Sequence, residues 1–234
     1  MIINLLRAPG RKRAMSFPTK DDLIRIYRRR ARRYDLTSNL YYLIGARVRA
    51  YRKMVVKTLG LCPEDTVVEI GCGTGLNFPL LQKEIGPRGK IIGVDLTDAM
   101  LEKARRRVSD EESINVELIN IDAASFLFPT GIDGIISTFA ITLIPEYDEI
   151  IRRGCEALSP GKRWVVLDIK MPSNRLSFLA PLLAPIIKPF GGTLEMAERR
   201  PWESIDKYMK HTSFAELYMG IIYIAAGERG EECC

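Results

Sequence analysis

A short segment of the chain combines an acidic residue with three closely spaced glycines. In residues 66–77, which read TVVEIGCGTGLN, an apolar stretch carries Glu69 and leads into a G-x-G-x-G turn at Gly71, Gly73 and Gly75. Glycines let the backbone turn tightly and approach a ligand closely. The pattern therefore predicts a strand that ends in a nucleotide-binding turn.

A second acidic residue stands at the end of the next apolar stretch. Residues 91–94 are Ile-Ile-Gly-Val, and Asp95 follows them, 20 residues beyond Gly75. A carboxylate at this place can accept hydrogen bonds from a ribose diol. The two segments have the layout of a βαβ nucleotide-binding unit, and an ordinary glycine turn in an α/β protein is the alternative.

The glycine spacing bears on which ligand the turn would hold. A dinucleotide fingerprint needs its third glycine after a two-residue gap, so that a pyrophosphate can lie at a helix N-terminus. Here Leu76 occupies the position that this fingerprint would keep small. Glu69, two residues before the first glycine, suits a cationic ligand with an α-amino group better than a pyrophosphate. A dinucleotide site is therefore the weaker alternative.

These residues resemble the first motif of class I S-adenosylmethionine (SAM)-dependent methyltransferases. The resemblance rests on Glu69, the three glycines and Asp95. It implies SAM as the cofactor and S-adenosylhomocysteine as its product. It also implies that Asp95 holds the ribose hydroxyls and that Leu96 and Met100 flank the adenine.

The resemblance extends to segments after the third and fourth predicted strands. It implies that Asp122 and Ala123 contact the edge of the adenine, although Asp122 could instead cap a helical turn over residues 123–126. The loop after the fourth strand would close over the methionine part. The cofactor-binding residues implied in this way are Tyr34, Glu69, Gly71, Cys72, Gly73, Thr74, Gly75, Asn77, Asp95, Leu96, Met100, Asp122, Ala123, Ser137, Thr138 and Phe139.

The elements that position these residues alternate along the chain. The patterns predict strands over 66–70, 90–95, 116–121, 132–137 and 163–169, helices over 75–85, 97–108 and 146–158, and two more strands within 211–227. Such alternation predicts an α/β fold with a parallel sheet and helices on both faces. The resemblance implies a Rossmann-like, seven-stranded, mostly parallel sheet that ends in an antiparallel hairpin.

The positive charge of the chain is concentrated at its N-terminal end. Residues 1–57 hold 16 basic and 3 acidic residues, whereas the remainder is acidic. We predict a basic N-terminal helical segment over residues 1–60, which the resemblance implies is a lid, and a SAM-binding domain over residues 61–234. A concentrated basic face indicates an anionic partner, either a membrane surface, here contacted through residues 20–57, or a nucleic acid.

Methyl transfer asks the protein mainly to align a nucleophile and to exclude water. Tyr34, in the predicted lid, is our candidate catalytic residue, and packing on a helix face is its alternative. His211 precedes a predicted strand, where a surface or packing role is the simpler interpretation. The cysteines show no metal-binding spacing, so we expect no metal site.

Two groups of methyltransferases are similar to the substrate part of the chain. Segments 93–97, 137–140 and 190–202 resemble bacterial phospholipid N-methyltransferases, which implies N-methylation of a head group such as phosphatidylethanolamine. The alternative is C-methylation of a ubiquinone or menaquinone precursor, although Leu143 stands where that group often has a histidine. The apolar segment 176–190, interrupted by three prolines, could cover a lipid chain or pack on the sheet as a buried loop.

Two further classes remain open. The arginine-rich segment could bind RNA phosphates, but the Asn/Asp-Pro-Pro-Tyr type of motif is missing after the fourth strand, where residues 137–140 read STFA. The second open class is a protein that binds SAM but does not catalyse methyl transfer. No stretch is long and apolar enough to span a membrane. We therefore expect a cytoplasmic location, with the basic segment as the candidate for peripheral contact at the inner membrane face.

Overall fold

The structure, a computed structural model, describes residues 19–31, 47–110, 115–172 and 196–231. The candidate catalytic residue Tyr34 and the apolar segment 176–190 lie outside the described residues. Within the described part of the chain, no helix is long and apolar enough to cross a membrane.

The described residues form a seven-stranded sheet. Its strands are β1 (Thr66–Ile70), β2 (Lys90–Asp95), β3 (Val116–Asn120), β4 (Ile132–Thr138), β5 (Leu158–Ile169), β6 (Lys210–Leu217) and β7 (Ile222–Glu228), in the order β3-β2-β1-β4-β5-β7-β6. β1 to β5 pair in parallel, and β7 pairs antiparallel with β5 and β6. The predicted α/β fold with a mostly parallel sheet and an antiparallel hairpin is confirmed.

Helices cover both faces of this sheet. They are α1 (Lys20–Arg30), α2 (Val48–Leu59), α3 (Phe78–Ile85), α4 (Asp98–Asp110), α5 (Tyr147–Ala157) and α6 (Pro201–Tyr208). Apolar residues of α2 and α3, including Val55 and Phe78, pack on one face of the sheet. Ile151 of α5 and Ile205 of α6 pack on the other face with Trp164 of β5. The strands are therefore buried from both sides, as their continuous apolar runs predict.

The starts of two elements differ from prediction by three or more residues, and one helix was not predicted. α3 begins at Phe78 rather than at residue 75, because Gly75 adopts a left-handed φ of 74° and belongs to the turn. β5 begins at Leu158 rather than at residue 163, because Leu158 pairs with Ile132 before a register shift. The predictions also lacked α6, which starts on Pro201 at a position where its missing N–H costs nothing.

The helix α5 lies unusually close to the sheet at Gly154. A Cβ built on Gly154 would lie 2.0 Å from Cζ3 of Trp164, whose side chain is fully buried. Only glycine leaves room for the indole at this crossing, so the helix and β5 meet backbone against ring.

The N-terminal helices lie beside the sheet. α1 begins with a capping box formed by Thr19 and Asp22, and Arg28 makes a bidentate ion pair with Asp98 of α4 at 2.8 and 2.9 Å. α2 ends at Gly60, which has a left-handed φ of 66°. The division of the chain at residues 60 and 61 stays a prediction.

Candidate functional site

A pocket opens at the carboxyl ends of β1, β2 and β4, the edge where parallel α/β sheets bind ligands. Its open space, counted together with the part continuous with solvent, is about 900 Å³. Eleven of the residues predicted for cofactor binding line it: Gly71, Cys72, Gly73, Thr74, Asp95, Leu96, Met100, Asp122, Ala123, Thr138 and Phe139.

The glycine turn forms one side of this pocket. Gly71, Gly73 and Gly75 have φ values of 69°, 55° and 74°, which other residues adopt only with strain. A Cβ built on Gly73 meets no atom within 4 Å, so the turn leaves open space where a ligand can approach the backbone. A Cβ on Gly71 would lie 2.2 Å from Cβ of Ala140, so this glycine lets the two loops touch.

Asp95 braces the turn from the end of β2. Its Oδ2 accepts a hydrogen bond from the Gly73 N–H and its Oδ1 accepts one from the Thr97 N–H, both at 2.8 Å. Burial raises the pKa of Asp95, and these two N–H donors oppose that effect. The carboxylate is thus fixed at the pocket wall and keeps further lone pairs for a ligand's hydroxyl groups.

Glu69 lies behind the pocket wall in a buried hydrogen-bond network. Asn77 Nδ2 donates to Glu69 Oε1 at 2.7 Å and to Thr138 Oγ1 at 3.0 Å. Arg52 Nη1 donates to Asn77 Oδ1 at 2.9 Å and to Thr138 Oγ1 at 2.6 Å. The network joins α2, β1, β4 and the start of α3.

The buried position of Glu69 in this network changes its pKa. Burial raises the pKa of Glu69 to about 8, although Arg52 and Asn77 act in the opposite direction. Glu69 Oε2 is buried and makes no hydrogen bond within the described residues. In this geometry Arg52 lines the pocket and Glu69 does not.

Arg52 was not among the predicted site residues. It is 7% exposed and shares the buried face of α2 with Val48 and Val55. The signal was present in the sequence, since residues three and four apart lie on one helical face. An arginine between apolar residues at that spacing indicates a buried cation with a partner.

Four other residues predicted for cofactor binding do not lie at the pocket wall. Glu69, Gly75, Asn77 and Ser137 do not line the pocket, and Ser137 is fully buried. They lie behind the residues that do. Tyr34 falls outside the described residues.

The helix α1 forms part of the rim of the pocket. It belongs to the segment that was predicted to be a lid, but none of its residues was predicted for the site. Lys20, Leu23 and Tyr27 line the pocket. Lys20 Nζ lies 2.6 Å from Asp122 Oδ2 and 2.9 Å from Glu146 Oε1. The positive charges on α1 therefore face acidic groups of the main domain at this rim.

Asp122 serves two neighbours at once. Its side chain accepts a hydrogen bond from the Ala124 N–H at 3.0 Å, as the capping alternative predicts, and it also lines the pocket. Burial opposes ionisation, but the bonds from Lys20 and Ala124 leave the pKa of Asp122 below its ordinary value. The two interpretations of this residue are compatible.

Residues 139–145, here called the wall loop, form the side of the pocket next to β4. Phe139 has a left-handed φ of 56°, and its N–H donates to the Leu167 carbonyl at 2.7 Å. The Arg52 guanidinium lies 5.6 Å from the centre of the Phe139 ring. Leu143 and Ile144 add apolar side chains to this wall.

His211 lies far from this pocket in the topology of the sheet. Its neighbour Lys210 pairs with Glu228, which in turn pairs with Arg163 near the amino end of β5. The pocket is at the opposite edge, beside the carboxyl ends of the strands. The position of His211 therefore supports a surface role, and its side chain is exposed.

The sequence matches a known family over part of its length. The family model described as methyltransferase domain matches residues 67–161. A ubiquinone/menaquinone biosynthesis C-methyltransferase of Pseudomonas putida is 29% identical over 148 residues, which are 62% of this chain and 57% of that protein. The chain thus spans a little over half the length of this curated relative.

The fold matches solved methyltransferases. Geranyl diphosphate C-methyltransferase from Streptomyces coelicolor has a TM-score of 0.61 and 15% identity, over 77% of this chain and 79% of that one. Phosphoethanolamine N-methyltransferase 2 of Haemonchus contortus has a TM-score of 0.62 and 17% identity, over 78% of this chain and 53% of that one. Residues 67–161 thus match a methyltransferase domain, and the fold is that of solved SAM-dependent methyltransferases.

Proposed function

We propose that this protein binds SAM in the pocket and transfers its methyl group to a lipid-soluble acceptor. The observation that carries the proposal is the position of Asp95. Its carboxylate holds both Gly73 of the left-handed turn and Thr97 beyond β2, and it still faces the pocket. This arrangement suits a nucleoside whose ribose reaches the end of β2.

The other wall residues fit the remaining parts of the cofactor. Leu96 and Met100 offer apolar surface for the adenine, with Asp122 and Ala123 for its edge. Arg52 brings a guanidinium to the β4 side of the pocket, where it suits the carboxylate of the methionine part. These assignments extend the predicted site by one residue, Arg52.

Glu69 contributes from behind the wall. With a pKa raised to about 8, its carboxyl is largely protonated at neutral pH. A nearby positive charge lowers the pKa of a carboxyl group. We therefore expect Glu69 to lose its proton more easily when a cationic ligand occupies the pocket, so that its negative charge balances that ligand.

The protein's part in the reaction is alignment in a dry site. When bound, SAM supplies the methyl group in activated form, on a sulfonium. Phe139, Leu143 and Ile144 give the wall loop an apolar surface that excludes water from the side next to β4. The described part of the pocket wall contains no histidine, and Tyr34 stays our proposed catalytic residue.

We propose the carbon atom of a quinone precursor as the first acceptor. The curated relative at 29% identity is named as a quinone C-methyltransferase, and this supports the alternative that the sequence placed second. The apolar wall loop supports it as well, because an aromatic ring with a prenyl chain needs such a surface. Leu143, where that group often has a histidine, faces the pocket and requires that any base come from elsewhere.

The head group of a membrane phospholipid such as phosphatidylethanolamine is the second candidate for the methyl acceptor. It is supported by α1, where the side chains of Arg25 and Arg29 are exposed. Basic residues on an amphipathic helix are attracted to anionic lipid surfaces. The same helix supports a peripheral contact between this segment and a membrane.

One assay tests the activity and the acceptor class together. The protein is incubated with SAM that carries a radiolabelled methyl group and with a total lipid extract, and the organic phase is separated by chromatography. Label in quinones supports the first acceptor, and label in methylated phosphatidylethanolamine supports the second. An unlabelled organic phase, from protein that binds SAM in calorimetry, overturns the lipid-soluble acceptor.

Asp95→Ala provides the matched test of the cofactor site. We expect this variant to lose detectable binding of S-adenosylhomocysteine, because the ribose contact and the brace on the glycine turn disappear together. Asp110→Ala, at the exposed end of α4, is the control and should bind like the parent. Unchanged affinity in Asp95→Ala refutes the proposed site.

A further inference from the structure

A buried carboxylate lies directly beneath the wall loop. Asp168, near the end of β5, is 2% exposed. Its Oδ2 accepts a hydrogen bond from the Thr142 N–H at 3.0 Å, and its Oδ1 accepts one from the Ile169 N–H at 2.8 Å. The Ala140 N–H also stabilises its charge. One side chain thus holds the loop at two positions, on a strand that contributes nothing to the pocket lining.

The loop is held from the other side by an arginine. Arg199 Nη1 donates to the Thr142 carbonyl at 2.8 Å, so the peptide groups on both sides of Thr142 are fixed by charged side chains. Thr142 itself is fully buried. A carboxylate and a guanidinium therefore clamp a single residue whose neighbours, Ala140 and Leu143, line the pocket.

The width of the pocket depends on this clamp. Ala140 packs closely against Gly71. A Cβ built on Gly71 would lie 2.2 Å from the Cβ of Ala140. A shift of the wall loop by a fraction of that distance changes the gap between the loop and the glycine turn. Asp168 lies on β5, which neighbours β4 on the side away from β1.

We propose that Asp168 is a positioning residue whose ionised carboxylate latches the wall loop against the glycine turn and so sets the shape of the ligand pocket. The inference rests on the proposed function, because it assumes that the pocket binds the nucleoside ligand. Asp168 acts through the backbone of Ala140 and Thr142 and touches no ligand itself.

The latch depends on pH. Burial raises the pKa of Asp168 to about 6, against the effect of its backbone N–H donors. The group that faces it is Tyr223 of β7, which is paired opposite Asp168. Tyr147 of α5 interacts in turn with Tyr223 and with Arg199. Burial, and then the charge of Asp168, raise the pKa of Tyr223 well above its usual value, so this phenol stays neutral. Arginine stays charged. Below about pH 6 the protonated carboxyl has one oxygen fewer to accept from the loop.

The first test reads the latch without any ligand. In a nitrogen-15 NMR titration of the full chain, the amide signal of Thr142 should shift with a midpoint near pH 6. The amide of Thr66, which donates to Asp133 at the opposite edge of the sheet, is an internal comparison that should lack this midpoint. A Thr142 amide that does not titrate between pH 5 and 7.5 overturns the proposal.

The second test uses Asp168→Asn, which has nearly the same size but no charge at any pH. Its amide nitrogen cannot accept from a loop N–H, so we expect affinity for S-adenosylhomocysteine to fall about three- to tenfold at pH 7.5, the range for one lost hydrogen bond. Between pH 7.5 and 5.5 the parent should lose more affinity than the variant, because Glu69 responds to pH in both proteins whereas Asp168 responds only in the parent. Asp133→Asn, which removes a carboxylate acceptor far from the pocket, is the matched control and should behave like the parent.

The outcomes separate the latch from the proposed function. If Asp168→Asn binds as tightly as the parent at both pH values, the latch is wrong. If the parent does not bind S-adenosylhomocysteine at all, the proposed function is wrong, and the Thr142 titration still decides whether Asp168 holds the loop. If the variant does not fold, the NMR titration of the parent decides alone.

Discussion

Replacing Arg52 by methionine should weaken the binding of the amino-acid part of the ligand and leave the binding of its nucleoside part nearly unchanged. Arg52 brings its guanidinium to the pocket from α2, and we assign it to the carboxylate of the amino-acid part. A hydrogen bond to a charged group contributes about 1.5–3 kcal/mol, which corresponds to roughly 10- to 150-fold in affinity. We expect a loss of that size for S-adenosylhomocysteine in the Arg52→Met variant.

The assay compares two ligands by calorimetry. 5′-Methylthioadenosine has the same nucleoside and sulfur but lacks the amino acid. Its affinity should therefore change less than about threefold, which is less than the loss of one hydrogen bond would cause. Arg49→Met is the control, because Arg49 is exposed one turn earlier on α2. It should leave both affinities unchanged.

Two results would contradict this reasoning. An equal loss for both ligands would mean that Arg52 supports the pocket only through Asn77 and Thr138, to which it donates at 2.9 and 2.6 Å. An unchanged affinity for S-adenosylhomocysteine would mean that the guanidinium does not meet the carboxylate. A melting curve by circular dichroism shows whether the buried network still folds.

Two further predictions concern stability. Gly154→Ala should lower the free energy of unfolding by about 1–3 kcal/mol, because the new methyl group overlaps the buried ring of Trp164 at 2.0 Å, and urea denaturation measures it; an unchanged midpoint would show that the helix can lift. Because burial raises the pKa of Glu69 to about 8, the folded state holds this proton more tightly than the unfolded state, so the contribution of Glu69 to stability is fully present below about pH 4.5 and is lost as the pH rises through 8. Glu69→Gln should remove this decline between pH 6 and 8, above the range in which Asp168 titrates, and a variant that keeps the parent's slope would rule out Glu69 as its source.

The sequence predicted well those elements whose signal is local. β1 and β2 have the predicted bounds, since each is an apolar run that ends on a glycine turn or an acidic residue. Asp95, Gly71 and Gly73 line the pocket, because the spacing of such a turn fixes the backbone. The start of α3 was wrong, because periodicity does not show that Gly75 is left-handed.

Features that depend on tertiary packing were missed. Arg52 was not predicted as a site residue, because its buried position follows from how α2 lies on the sheet. Lys20 reaches Asp122 across about a hundred residues of sequence, and no local pattern predicts such a contact. Glu69 was expected at the ligand but lies behind Asn77, since the side chain on a strand can point to either face.

The burial of α2 limits where this protein can be cut. The match to the family model begins at residue 67, so a designer of a minimal fragment would be tempted to start there. Such a fragment would leave bare the surface that Val55, Val56 and Leu59 cover, and each of these residues is at most 2% exposed. Exposed apolar surface of this kind promotes aggregation. We therefore expect that a soluble, ligand-binding fragment must retain the chain from Val48 onward, and that fusion partners are better attached ahead of that residue.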